Sequence, residues 1–185
     1  PILPPIIRKD LKLKWKQKMF MTHTTIAYIE PDHSHRSFYR DVLRREGFCV
    51  DSFEHADPAL EALVQKEYDL VLLEIKVAPG LDMKDNGLKQ EWELISRDAK
   101  RMGNESHPDY WRVGHYIIQR VKSEQCINNK KPVVVLSIYD SKYDGLFLDA
   151  ASRTLTIGAD KYIAKKDVNY VPVVQEIKFR LSKKR

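Results

Sequence analysis

The chain has 185 residues, 43% hydrophobic and 31% charged, which fits one globular domain with appendages. No apolar run is long enough to span a bilayer, and the early Lys/Arg cluster lacks the apolar core of a secretory signal. The net charge of +6 conceals a division: residues 1–24 and residues 178–185 carry +5 each, which leaves the body between them at −4.

A nucleic-acid module would be expected to carry its basic stripe on the folded body, so nucleic acid is not the expected partner. The bland reading of the two ends is solvated tails. The remote alternative is an adaptor that holds nucleic acid or an anionic surface through its basic termini. Cys49 and Cys126 are too few for a disulfide framework and point to reduced thiols in the cytoplasm.

Residues 1–24 form a basic arm with Pro1, Pro4 and Pro5 near its start. From Thr25 an ordered alternation begins. Residues 25–29 read as a strand and residues 34–46 as a helix, with Phe38 and Val42 on one face and Gly47 placed to end it. Residues 48–53 form a second strand. Asp57 then reads as the cap of a helix with Pro58 at its first position and Leu60, Leu63 and Val64 as its apolar stripe. Residues 70–75 are mostly apolar, a run short enough for a strand covered on both faces, and Glu74 stands near its carboxyl end.

Residues 79–113 interrupt the rhythm with a polar, nearly charge-balanced stretch. Within it Leu88, Trp92, Ile95, Ala99 and Met102 share one helical face, and Gly103 is a plausible stop. That stripe either folds back on the domain's own core or presents Trp92, Ile95 and Met102 to a partner or a second copy. A helix resumes over residues 114–121, followed by a strand over 133–137, a helix between 145 and 155, a short strand over 161–164 and a last helix opened by Pro172. Strands and helices in alternation predict an α/β fold, a doubly wound five-stranded parallel sheet covered on both faces, spanning residues 25–182. His33 and His35 lie in a turn without further ligands and read as solvated, and no glycine-rich phosphate loop follows a strand.

Four segments carry a resemblance: Ile26-Ala27-Tyr28-Ile29-Glu30-Pro31-Asp32, Asp69-Leu70-Val71-Leu72-Leu73-Glu74, Pro132-Val133-Val134-Val135-Leu136-Ser137 and Gly158-Ala159-Asp160-Lys161-Tyr162-Ile163-Ala164-Lys165. In this order they resemble the receiver domain of two-component response regulators, with residues 79–113 outside the likeness. The resemblance implies the chemotaxis-regulator, flavodoxin-like strand order 2-1-3-4-5. It also implies a chemistry in which an aspartate at the end of strand three takes a phosphoryl group from a histidine kinase with the help of Mg²⁺. Ser137 falls on the hydroxyl position that binds phosphoryl oxygens, Lys165 on the lysine position and Tyr162 on the aromatic that reports the state.

The acidic positions depart from the family's pattern. Glu74 replaces the acceptor aspartate. Glu30 keeps the first acidic position, Pro31 removes the second, and Asp32 follows one residue late. A metal, if held, would draw on Glu30, Asp32 and Glu74, and no other cofactor is expected. Glu in place of Asp displaces the carboxylate by on the order of 1 Å, a misplacement that in-line transfer tolerates poorly. A side chain without oxygen at Pro31 weakens the hold on the neutralising ion.

The expectation is therefore an atypical receiver that works by binding a signalling protein, a histidine kinase or another regulator, and not by catalysis. Glu74 would reach Lys165 and Ser137 and stand in for the phosphorylated aspartate. The alternative is a working phosphoacceptor in a phosphorelay.

Overall fold

The computed structural model describes residues 24–101, 111–137, 147–165 and 169–183, with backbone alone for residues 111 and 147–150. Strands β1 (Thr25–Ile29), β2 (Cys49–Phe53), β3 (Leu70–Leu73), β4 (Val133–Ser137) and β5 (Lys161–Ala164) pair in parallel in the order β2-β1-β3-β4-β5. Helices α1 (His33–Arg45), α2 (Ala56–Gln65), α3 (Asn86–Arg101), α4 (Trp111–Lys122), α5 (Phe147–Thr156) and α6 (Val171–Ser182) complete the chain. The doubly wound sheet expected from the alternation is the fold observed.

The pleat of the short apolar strands divides the core. Val71 and Leu73 of β3 and Val133 and Val135 of β4 face α2, α3 and α4, where Leu60, Leu63, Leu88, Ile95, Ile117 and Ile118 meet them. Leu70, Leu72, Val134 and Leu136 point the other way, toward Leu43 of α1 and Val174 and Ile177 of α6. Burial on both faces is what makes these strands read as continuous hydrophobic runs and not as alternating ones.

Local chemistry sets the helix ends. Asp32 caps α1 by accepting from the His35 N–H at 2.8 Å, and Gly47 leaves it with φ of 95°, a left-handed conformation that glycine adopts without penalty. The start of α2 corrects the expected cap. The helix begins at Ala56, and its first N–H groups, those of Ala56 and Asp57, donate to the carbonyls of Ala78 and Pro79 at 2.9 Å each. The Asp57 carboxylate turns to the loop before α3 instead, accepting from the N–H groups of Lys84 at 2.8 Å and Asp85 at 3.1 Å. Val64 is likewise not part of the buried stripe: it is 58% exposed, while Leu60 and Leu63 are buried.

The interrupting segment is built onto the domain. Asp85 caps α3 through the Leu88 N–H at 2.8 Å and accepts from the Tyr116 hydroxyl of α4 at 2.6 Å. Leu88, Ile95 and Ala99 are buried, and Trp92 packs half-buried against the same core. Ile95, only 1% exposed, is thus not a surface residue of the chain, which corrects its placement on an interface; Met102 lies outside the described residues. The helix that resumes the rhythm starts at Trp111, ahead of Gly114. Gly114 lies so close to the chain after β3 that a Cβ there would sit 2.2 Å from the Ile75 carbonyl oxygen.

A further staple joins α2 to β3. Asn128 is fully buried; its amide donates to the carbonyls of Leu63 at 2.7 Å and Lys66 at 3.0 Å, and its oxygen accepts from the Tyr68 N–H at 2.7 Å. Asn128→Ala would strand these buried backbone groups. We expect a loss of about 1–3 kcal/mol, read as a lower urea midpoint at unchanged slope.

Candidate functional site

In a sheet of this order the chain leaves β1 for one edge and β3 for the other, so a crevice opens between their carboxyl ends. Ile29 pairs in register with Leu73, and the next residue on each strand is an acid: Glu30 and Glu74 emerge side by side. Main-chain bonds hold both in place, from the Glu30 N–H to the Phe53 carbonyl at 2.9 Å and from the Glu74 N–H to the Ile29 carbonyl at 2.8 Å. The two residues are 1% and 3% exposed.

Lys165 closes the crevice. It follows β5, where Ser137 pairs with Ala164, and its own N–H donates to the Ser137 carbonyl at 2.6 Å. Its side chain is 6% exposed and places Nζ between the two acids, donating to Glu74 Oε2 at 2.8 Å and to Glu30 Oε2. Lone pairs not taken by the ammonium are also used. Glu30 Oε1 accepts from the Asp32 N–H at 3.1 Å, Glu30 Oε2 from the Tyr28 hydroxyl at 3.2 Å, and Glu74 Oε1 from the Lys76 N–H at 3.2 Å. This is a buried ion triad whose hydrogen bonds are largely satisfied, the condition under which buried charge is tolerated.

Burial pushes the Glu30 carboxyl above its usual range, and the neighbouring ammonium offsets only part of that. Burial also works against the charge on Lys165, but Glu74 and Glu30 together outweigh it and hold the ammonium above its ordinary value. Tyr28 is raised by burial first and by Glu30 second, so its hydroxyl stays a donor.

Of the residues singled out in the sequence, Glu30, Glu74 and Lys165 meet in one cluster, and Ser137, buried beside Lys165, borders it. Tyr162 is half-buried and packs against the α2–α3–α4 side of the core. Asp32 is a correction. Its side chain is 55% exposed and turned outward, because its carboxylate is committed to capping α1; the His35 N–H bond is also the main cause that lowers its pKa.

Two participants were not foreseen. Tyr28, within the otherwise small and aliphatic β1, supplies a hydroxyl to Glu30, and a buried tyrosine in need of a partner was the available signal. Arg36 clamps the loop after β1: its guanidinium donates to the carbonyls of Glu30 at 2.7 Å and Pro31 at 2.9 Å and to Glu54 at 2.8 Å.

The residues present do not fit a hard divalent ion as arranged. Both buried carboxylates point at an ammonium, the Pro31 carbonyl is taken by Arg36, and the Asp32 carboxylate faces away. Among the described residues no group of three or more His, Cys, Asp or Glu side chains is placed to hold a metal.

The fold is that of response regulator receiver domains. A CheY-like receiver domain protein from Methanospirillum hungatei is 19% identical with a TM-score of 0.59, over 86% of this chain and 94% of that one. The BeF₃-activated N-terminal receiver domain of Klebsiella pneumoniae RstA is 19% identical with a TM-score of 0.58, over 85% and 98%. The receiver domain of a Pseudomonas aeruginosa sensor histidine kinase, which has a magnesium ion coordinated in its active-site cleft, is 14% identical with a TM-score of 0.57, over 86% and 98%. No protein-family model matches the sequence, and no curated protein is detectably similar to it. Among the described residues no helix is long and apolar enough to cross a membrane.

Proposed function

We propose that this chain is a signalling module of the receiver fold that acts through contacts with another protein and not as an enzyme. Its crevice is held in one state from within. The observation that carries this reading is the Lys165 ammonium bonded to both Glu30 and Glu74, where an acceptor carboxylate would have to stand free to attack. A nucleophile engaged by a buried cation and displaced by one methylene is badly placed for in-line transfer. The fixed Glu74–Lys165 contact takes the role that a phosphoryl group would otherwise give to the lysine. The partner is a signalling protein of the cytoplasm, a histidine kinase or another regulator.

Incubation with acetyl phosphate and Mg²⁺, followed by intact mass measurement, should leave the protein unmodified. Stoichiometric phosphorylation at Glu74 would overturn the reading in favour of a working phosphoacceptor. A pull-down that compares the wild type with Glu74→Asp should then show partner capture weakened by the shorter side chain.

A further inference from the structure

Contacts other than those of Lys165 also orient the two acids between β1 and β3. Glu30 is oriented by the Tyr28 hydroxyl and the Asp32 N–H, and Glu74 by the Lys76 N–H. Strand pairing sets the two acids next to each other whatever occupies the space between them. Two buried carboxylates fixed in this way demand a positive charge. Among the described residues, the group seen to bond to both is the Lys165 side chain, which arrives from the end of β5, 135 residues from Glu30 and 91 from Glu74 in the chain.

We infer that the pocket formed by Glu30 and Glu74 is a cation site filled from within, and that the Lys165 ammonium stands where a divalent metal ion would otherwise sit. Oxygen-only ligands of carboxylate type suit hard ions such as Mg²⁺ and Mn²⁺, which keep several of their own waters. A lysine in that place removes dependence on such ions: the charge is covalently attached and always present. The state of this domain is therefore independent of the surrounding Mg²⁺ concentration. The occupancy of the pocket by Lys165 is a property of the fold whether or not the chain signals.

The test is a titration of Lys165→Ala and wild type with Mn²⁺ alone, following free Mn²⁺ by electron paramagnetic resonance and melting temperature in parallel. Loss of a unit charge at contact distance should tighten binding of the ion by roughly a hundredfold. We expect one Mn²⁺ per variant chain and a melting temperature that rises with the ion, against no rise for the wild type. Glu30→Gln/Lys165→Ala, which keeps the cavity but loses one carboxylate, should bind no ion. Should Lys165→Ala not fold alone, refolding that Mn²⁺ restores in it, but not in the double variant, supports the inference. Failure of Mn²⁺ to bind or restore Lys165→Ala overturns it, as does equal Mn²⁺ binding by the wild type or by the double variant.

Discussion

Lys165→Met should lower stability by about 3–5 kcal/mol at neutral pH, the cost of leaving buried charge without its partner. Methionine nearly matches the volume of the lysine stem, so the loss reports charge and not an emptied cavity. Protonation determines how that loss varies with pH. The wild-type ammonium has a raised pKa in the fold, so its contribution is complete below the ordinary lysine value and fades only as pH rises through the folded one. Glu30, also raised, works in the same sense but in a lower pH window. Its folded form binds a proton more readily than the unfolded chain, so it favours folding in acid and opposes it once pH has climbed through its folded pKa. With Lys165 gone the main influence holding Glu30 down is lost. The variant should then regain part of its stability between neutral pH and the ordinary glutamate range, while the wild type changes less. Urea titrations of both proteins across that range check this, and an equal pH response in the two would contradict it.

Gly114→Ala should destabilise the fold by about 3 kcal/mol, the upper end for overpacking. Glycine to alanine inside a helix ordinarily gains roughly 1 kcal/mol, so the sign itself is diagnostic. The reason is the Ile75 carbonyl: the new methyl would lie 2.2 Å from its oxygen and 2.9 Å from both its carbon and its Cα. Those are main-chain atoms directly after Glu74, and no side-chain rotation relieves them. Either α4 lifts away from the sheet or the chain after β3 shifts, carrying Glu74 with it. Thermal melts measure the first result. Coupling to the site follows from combining Gly114→Ala with Lys165→Met, where a sum differing from the separate losses marks a shared shift.

Much of the fold was legible because its signals are local. Two-sided burial made β3 and β4 readable as apolar runs, and Gly47 and Pro172 marked helix ends by backbone geometry that other residues do not supply. The corrections arise where a side chain had two uses that sequence spacing cannot separate. Asp57 and Pro58 look like a helix start, yet the loop at Ala78 and Pro79 supplies the capping groups and frees the Asp57 carboxylate for Lys84 and Asp85. Asp32 looks like a displaced site acid, yet the nearest demand on it is its own helix. In the site, the position of Lys165 opposite Glu74 was expected, whereas its equal claim by Glu30 and the support from Tyr28 and Arg36 were not. Those contacts depend on strand register and helix phase, which are tertiary properties.

The triad joins the ends of β1, β3 and β5 across most of the chain, with partners 135 and 91 residues apart. It can close only when the sheet has gathered all three strands, after the loop-closure entropy of the whole topology has been met. Such contacts belong late on the folding route, so they act mainly as a brake on unfolding and contribute little to the speed of folding. The same three charges that meet in the crevice thus also govern how long the native domain persists once it has formed.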